Sequence, residues 1–385
     1  MSPSLSQHAW GQPPWQIDSS PARKPLPKSV DFAIVGGGFT GLAAAAWLCL
    51  LAPEKSVAVL EAGRIGAGAS GRTGGMVLAE SAAGDLPGLG DVLAGLTRIL
   101  GDLGRACGLS LADACELALP GAWEIARSGG IANSAIEWTD SGALRVVNEV
   151  PGGTLNPGKL VAGLASAAEK LGVLIVENER VERVSWGSGG ELHFAYEKLR
   201  AKKVLFATNG LSLELSGLND RAHPKLTLAA STAPLAEEQL QAIGLSQRKP
   251  FYTVDFPYLW GRVCPDNSIV WGAGLVGAAD LGSVEQIDIA AEESSRMFAS
   301  LERRIRHLHP ALEQASFTHR WGGPILFRDS WEPVFDRHPE SADGIVLGAY
   351  AGHGVALSVY LGAWAAEIML SRRDLPEWGR IANSG

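Results

Sequence analysis

The chain has 385 residues, enough for two domains or one large composite domain with a substantial core. Hydrophobic residues make up 46% and charged residues 19%, which excludes a largely disordered protein. The formal charge of -8, with no block of clustered Lys and Arg, excludes a general nucleic-acid binder.

In chain order, the first 29 residues carry Pro3, Pro13, Pro14, Pro21, Pro25 and Pro27 and no basic-then-apolar leader pattern. They read as an extended lead-in that drapes over the domain. Asp31 to Val35 is a short apolar run ending in glycines, and Leu42 to Leu51 is rich in Ala and Leu. This predicts strand, turn, helix. Ser56 to Glu61 reads as a second strand, closing a βαβ unit of about thirty residues and so predicting a parallel sheet.

Arg64 to Gly75 reads as a loop, and about Gly90 to Arg127 as helical, with Leu93, Leu96, Ile99 and Leu103 at helical spacing. Leu144 to Val147 predicts a strand, Lys159 to Lys170 a helix, and Val173 to Val176 another strand. Val181 to Tyr196 alternates like an antiparallel ribbon, Lys203 to Gly210 is a buried strand ending in a turn, and Leu226 to Gly274 reads mostly as strands. Ile287 to Leu308 is expected to be a solvent-facing helix. Gly344 to Leu370 is as apolar and as long as a membrane span, but Gly352-His353-Gly354 divides it, so it reads as strand, turn and helix with no transmembrane segment.

The α/β pieces thus lie at the start, middle and end. The expected fold class is α/β (α+β overall), with a discontinuous cofactor domain at 30–83, 151–214 and 327–385 and a capping substrate domain at 84–150 and 215–326. Cys49, Cys107, Cys115 and Cys264 show no metal spacing; a reduced, cytoplasmic setting and no metal are expected.

Gly36-x-Gly38-x-x-Gly41 sits between strand and helix, the context that gives this glycine spacing its meaning. Gly36 allows the turn, Gly38 lets a pyrophosphate approach the backbone, and Gly41 lets helix pack on strand. The helix start then offers N–H donors and a partial positive charge. Glu61 lies 20 residues beyond Gly41, where its carboxylate can accept both ribose hydroxyls of an adenosine and repel a 2'-phosphate. An NAD-binding domain would enter a helix directly after Glu61. Here Ala62 to Met76 instead holds six glycines, Arg64, Arg72, Ser70 and Thr73, a composition suited to following a longer cofactor.

The runs Asp31 to Leu42, Val59 to Arg64, Gly68 to Gly75, Asn156 to Val161, Glu177 to Val181, Ala207 to Gly210 and Gly348 to Val355 resemble the D-amino-acid oxidase family of flavoenzymes. The resemblance is closest to its branch of glycine and sarcosine oxidases, D-amino-acid dehydrogenases and γ-glutamylputrescine oxidases, and it covers nearly the whole chain from residue 30. It implies a Rossmann-like FAD-binding domain of glutathione-reductase type and an antiparallel-sheet substrate domain.

It further implies that Glu61 binds the adenosine ribose and that Ser70, Gly71 and Arg72 lie along the pyrophosphate and ribityl chain, with Phe39, Thr40, Ala62 and Arg64 also expected to bind the cofactor. Thr73, Gly74, Gly75 and Met76 would approach the isoalloxazine. Val181 would contact adenine, Ala207 would line the cleft, and Gly352, His353, Gly354 and Val355 would face the pyrimidine end of the flavin. Some relatives attach flavin through His or Cys; Thr73 to Met76 contains neither, so noncovalent FAD is expected.

The implied reaction is oxidation of the C–N bond of a small amine or amino acid by hydride transfer to flavin N5, giving an imine that hydrolyses. Oxygen or a quinone-type acceptor would then take the electrons. No side-chain base is obligatory. An amino-acid substrate calls for a two-pronged arginine, for which Arg262 and Arg328 are the candidates, and Tyr258, four residues before Arg262, is a further substrate-binding candidate. Two other readings stay open: a flavoprotein acting on a macromolecule or holding FAD without amine oxidation, and an NAD enzyme, which would be colourless.

Overall fold

A computed structural model describes residues 9–22, 24–277 and 283–380. Strand Ser29–Val35 alternates its side chains between two cores: Phe32 and Ile34 face one, and Val30, Ala33 and Val35 face the other. Val57–Leu60 divides in the same way. A strand apolar on both faces has to be covered on both sides, which is the condition of a parallel sheet interior.

These two strands pair in parallel, and the sheet runs Val334–His338, Ser341–Gly348, Lys198–Phe206, Ser29–Val35, Val57–Leu60, Leu174–Val176. The hairpin Arg183–Gly187 with Gly189–His193 extends Lys198–Phe206, and only this hairpin and the edge strand Val334–His338 pair antiparallel. On one face lie helices Phe39–Leu51, Pro157–Lys170 and Gly354–Met369. The first is Ala-rich, starts at Gly38 and stops at Ala52 before Pro53, which cannot continue it. Gly362 faces it so closely that a Cβ would lie 2.7 Å from the Thr40 carbonyl oxygen.

The second sheet runs Phe317–Phe327, His223–Thr232, Ile269–Gly277, Trp260–Val263, Phe251–Thr253, Ala122–Ala126, Ala143–Val150, Glu137–Thr139. It is antiparallel except where Phe251–Thr253 meets Ala122–Ala126. Helix Glu292–Leu308 lays Leu301, Ile305 and Leu308 on its core, beside Trp138, Phe251 and Trp271.

The region from Gly90 to Arg127 departs from its helical expectation. Helix Val92–Cys107 ends at Gly108 in a left-handed conformation (φ 65°), and Ala122–Ala126 is a strand of the second sheet. The apolar stripe Leu96, Ile99, Leu100 and Leu103 packs that helix with the first and last helices rather than with the second sheet. The apolar stretch near the C-terminus forms strand Ser341–Gly348, a turn, and helix Gly354–Met369. Among the described residues no helix is long and apolar enough to cross a membrane.

The lead-in binds the two sheets together. Trp10 is buried and its carbonyl accepts from Gly322 N (2.7 Å), while Trp15 Nε1 donates to the Gly71 carbonyl (2.8 Å) and its ring meets Trp321 edge-on.

Candidate active site

A cavity of about 1260 Å³ opens between the sheets, running from Leu60 and Glu61, past the start of the first helix, to Tyr350 through Val355, with Tyr252 and Phe256 through Trp260 on its far wall. Its size and its mixed lining suit a large ligand plus a small one.

At one end the backbone determines the geometry. Gly36 has φ +112°, and a Cβ there would lie 2.6 Å from the Ala207 carbonyl oxygen; on Gly41 it would overlap the Gly36 carbonyl. A Cβ on Gly38 would meet Ser70 Oγ at 2.7 Å, in the space where the chain faces the cavity. The helix Phe39–Leu51 has no capping side chain from Gly38; Ser70 Oγ, reaching in from the long loop, accepts from Phe39 N at 2.9 Å. Glu61 accepts from Gly37 N through one carboxylate oxygen and from Gly63 N through the other, both at 2.8 Å. Burial pushes its pKa up, and these two hydrogen bonds pull it back. Each oxygen keeps a lone pair for a ribose hydroxyl.

At the other end, three features shape the backbone before the last helix. Asn209 Oδ1 accepts from Ala349 N (2.9 Å), with Asn209, Ala349 and Ala351 all at positive φ, a strained cluster beside the cavity. Thr40 Oγ1 and the Tyr350 hydroxyl share a 2.8 Å hydrogen bond, tying the first helix to the turn before the last. Gly352 (φ +93°) has nothing within 4 Å of where its Cβ would be, so the turn faces open space. The last helix then begins at His353 with no side-chain cap, and its first residues line the cavity, so its free N–H groups put a partial positive charge there. Burial pushes the His353 pKa down, against the Ala351 carbonyl and the charge of Glu80, which push it up. Thr208 Oγ1 and Ser358 Oγ, both on cavity-lining residues, are buried without a partner among the described residues. The glycine cradle, the doubly anchored carboxylate and the two helix starts that open on the cavity fit FAD.

Of the residues singled out in the sequence, Gly36, Gly38, Phe39, Thr40, Glu61, Ala62, Ser70, Arg72, Thr73, Gly74, Met76, Val181, Ala207, Gly352, His353, Gly354, Val355 and Tyr258 line this one cavity. Gly41, Gly71 and Gly75 stand behind it as packing positions; a Cβ on Gly75 (φ +76°) would overlap the Leu155 carbonyl. Arg64 is at the surface, donating to the Ser19 carbonyl at 3.1 Å. Arg72 is buried but spends its guanidinium on the carbonyls of Ala67, Trp10, Gly11 and Gly322 at 2.9–3.3 Å, and burial lowers its pKa to about 10.

The two substrate-arginine candidates do not line the cavity. Arg262, 4% exposed, donates through Nε to the Gly74 carbonyl and lies over the Trp15 ring, beneath the loop rather than in the open space. Arg328 donates to the carbonyls of Pro333 (3.4 Å) and Arg380 (3.1 Å). Trp260 packs flat into the space left by Gly74 and Gly272, where a Cβ on either would overlap its ring.

Sequence reasoning missed Glu80, Glu124 and Tyr252, which the structure assembles on the far wall. The Tyr252 hydroxyl lies 3.1 Å from Glu80 Oε1 and 3.0 Å from Glu124 Oε1, and Asn148 Nδ2 donates to Glu124 Oε2 at 3.0 Å. Burial, then the charges of both carboxylates, push the Tyr252 pKa up, so the phenol keeps its proton. The signal in the sequence is slight: Tyr252 and Glu124 are cross-strand partners, and only the sheet register reveals that.

The family model described as FAD dependent oxidoreductase matches residues 31–368. Among curated proteins the chain is similar to gamma-glutamylputrescine oxidoreductase of Escherichia coli (strain K12), 26% identical over 398 residues that cover 92% of this chain and 86% of that protein. Among solved structures it is similar in fold to glycine oxidase from Geobacillus kaustophilus (TM-score 0.66, 20% identity, covering 93% of this chain and 100% of that one). It is also similar to L-amino acid deaminase from Proteus myxofaciens in complex with anthranilate (TM-score 0.68, 12% identity, 95% of each chain).

Proposed function

Because this chain belongs to the FAD dependent oxidoreductase (DAO) family, we propose that it oxidises the C–N bond of a small amine or amino acid in the cavity between its two sheets. The observation that carries this is the continuity of one cavity from Glu61, past the starts of the first and last helices, to an aromatic wall of Tyr252, Tyr258 and Trp260. A dinucleotide alone would need only the first part.

Bound there, FAD would supply the acceptor for a hydride from the carbon next to nitrogen; the N–H proton would pass to water, leaving a C=N bond in the substrate. Hydrolysis of that bond gives a carbonyl compound and ammonia or a smaller amine, and oxygen or a quinone takes the two electrons onward.

The chain's own residues do the rest. Glu61, Val181 and the glycine turn would hold the adenosine and pyrophosphate. Arg262 holds the Gly74 carbonyl and Trp260 fills the gap behind it, so Thr73 to Met76 stays in place against the ring. The start of the last helix stabilises the negative charge of the reduced state, and the far wall excludes water from the reacting carbon. The Thr73 to Met76 loop offers no His or Cys, which supports noncovalent FAD, and four free cysteines suit a reducing, cytoplasmic setting.

The test is a panel of small amines and D- and L-amino acids added to the purified yellow protein without oxygen, followed by air and a peroxide assay. Bleaching of the visible flavin bands by an amine is the expected result. A flavin that no amine bleaches contradicts the reading, and peroxide on admitting air distinguishes oxygen from a quinone as acceptor.

A further inference from the structure

The charges at the substrate end of the cavity have the wrong sign for a carboxylate. Of the cations on the lining, Arg72 is spent on backbone carbonyls, Arg180 pairs with Glu285, and Arg304 pairs with Asp140 and donates to the Tyr258 carbonyl. Lys225 is exposed, on a strand that faces Gly277 at the outer end. Arg262 lies under Gly74.

Against this, two carboxylates meet at one phenol. Tyr252 has a single O–H and can donate to only one of Glu80 and Glu124, leaving the other facing an oxygen lone pair. Among the described residues neither carboxylate forms an ion pair with a Lys or Arg. Two negative charges held this close in a partly enclosed wall cost free energy unless a cation joins them.

The cluster lines the same cavity as the Thr73 to Met76 loop. Glu80 follows strand Met76–Leu78, the continuation of the loop that meets the flavin, and Glu124 and Tyr252 come from the second sheet. The strand that leads to Glu80 packs against the last helix. That helix carries Ser358, 5% exposed, lining the same cavity with an Oγ that has no partner among the described residues. The lining of this one cavity therefore includes two carboxylates without a Lys or Arg ion pair among the described residues and a buried hydroxyl without a partner.

We propose that the substrate is an amine carrying a second, non-reacting ammonium group, which Glu80 and Glu124 bind on either side of the Tyr252 hydroxyl. This rests on the amine-oxidising reading and narrows it to dications, without a substrate carboxylate. An alkylammonium with a pKa near that of lysine, about 10.4, is charged at neutral pH and offers three donors, enough for both carboxylates. The reacting amine, further along toward the flavin end, is the one that must be neutral.

A four-carbon series tests it: diaminobutane, butylamine and γ-aminobutanoate, each titrated into the holoprotein by calorimetry and followed without oxygen by flavin bleaching. The expected order is diaminobutane tightest, by at least about tenfold over γ-aminobutanoate, a factor that a single charge contact readily supplies. In Glu80→Gln and Glu124→Gln the ratio of diaminobutane to butylamine affinity falls at least about tenfold, with flavin content and thermal unfolding checked to establish that the variants are folded. Equal or tighter binding of γ-aminobutanoate overturns the proposal, as does an unchanged ratio in folded variants. The comparison within the wild-type protein stands even where a variant does not fold. If diaminobutane binds as predicted and no amine bleaches the flavin, the dication site holds and the oxidation reading alone falls.

Discussion

The two ends of the cavity are built on different terms. The end proposed for the nucleotide is made largely of backbone: a turn at φ +112°, the N–H groups of a helix start, and a carboxylate held by the N–H groups of Gly37 and Gly63. The substrate end is made of side chains from three distant segments, Glu80, Glu124 and Tyr252, joined by sheet register and one phenol. Backbone sites tolerate almost no substitution at a few positions, because a glycine conformation or a carbonyl contact has no substitute. Side-chain sites can be retuned residue by residue, which is why we assign the cofactor to the first end and substrate choice to the second.

The largest effect that would break this comparison is expected at Gly36. A valine there would adopt a positive φ and press on the Ala207 carbonyl, so Gly36→Val should lose flavin by more than about a hundredfold in affinity, roughly 3 kcal/mol of strain and clash. Visible absorbance per protein after desalting measures it; a fully yellow variant would show that the turn does not shape the site.

Next comes Arg262→Met, which leaves the buried Gly74 carbonyl without its donor and should lower unfolding free energy by about 2–4 kcal/mol in urea. A loss confined to substrate affinity, with stability intact, would return Arg262 to the role of substrate ligand. Glu61→Gln is expected to weaken FAD by about tenfold, because a neutral amide replaces a charged acceptor and offers one oxygen in place of two; a flavin titration of apoprotein checks it.

The smallest effect is pH dependence. Burial lowers the pKa of His338 and His353 in the folded chain below 6.5, so the unfolded chain takes up protons first as pH falls. The stability these groups confer as neutral imidazoles is present above that value and declines through it toward the folded-state value. Thermal unfolding of apoprotein from about pH 8 to about pH 5 should show the decline, flattened in His338→Gln/His353→Gln.

The legibility of the molecule follows the same division. Strand, glycine turn, helix and Glu61 lie within a single βαβ unit, where spacing along the chain is spacing in space, so their arrangement is legible in the sequence. The strand–turn–helix at 341–369 was readable because Gly352 and Gly354 interrupt an apolar run. Helix Val92–Cys107 was seen, but its end was not, since Gly108 is one glycine among 47. The substrate end could not be read: an arginine in a strand looks the same whether it faces a cavity or a carbonyl beneath it, and the Glu124–Tyr252 pairing exists only once two strands 128 residues apart lie side by side.

The central claim, that FAD lies along the backbone end and a dication at the acidic wall, is tested most directly by a crystal structure of the chemically reduced holoprotein grown with diaminobutane. The account predicts ribose hydroxyls on Glu61, the isoalloxazine beside Gly352 to Val355, and one diamine nitrogen between Glu80 and Glu124. A crevice closed by side chains, or a diamine nitrogen seated away from both carboxylates, would contradict it.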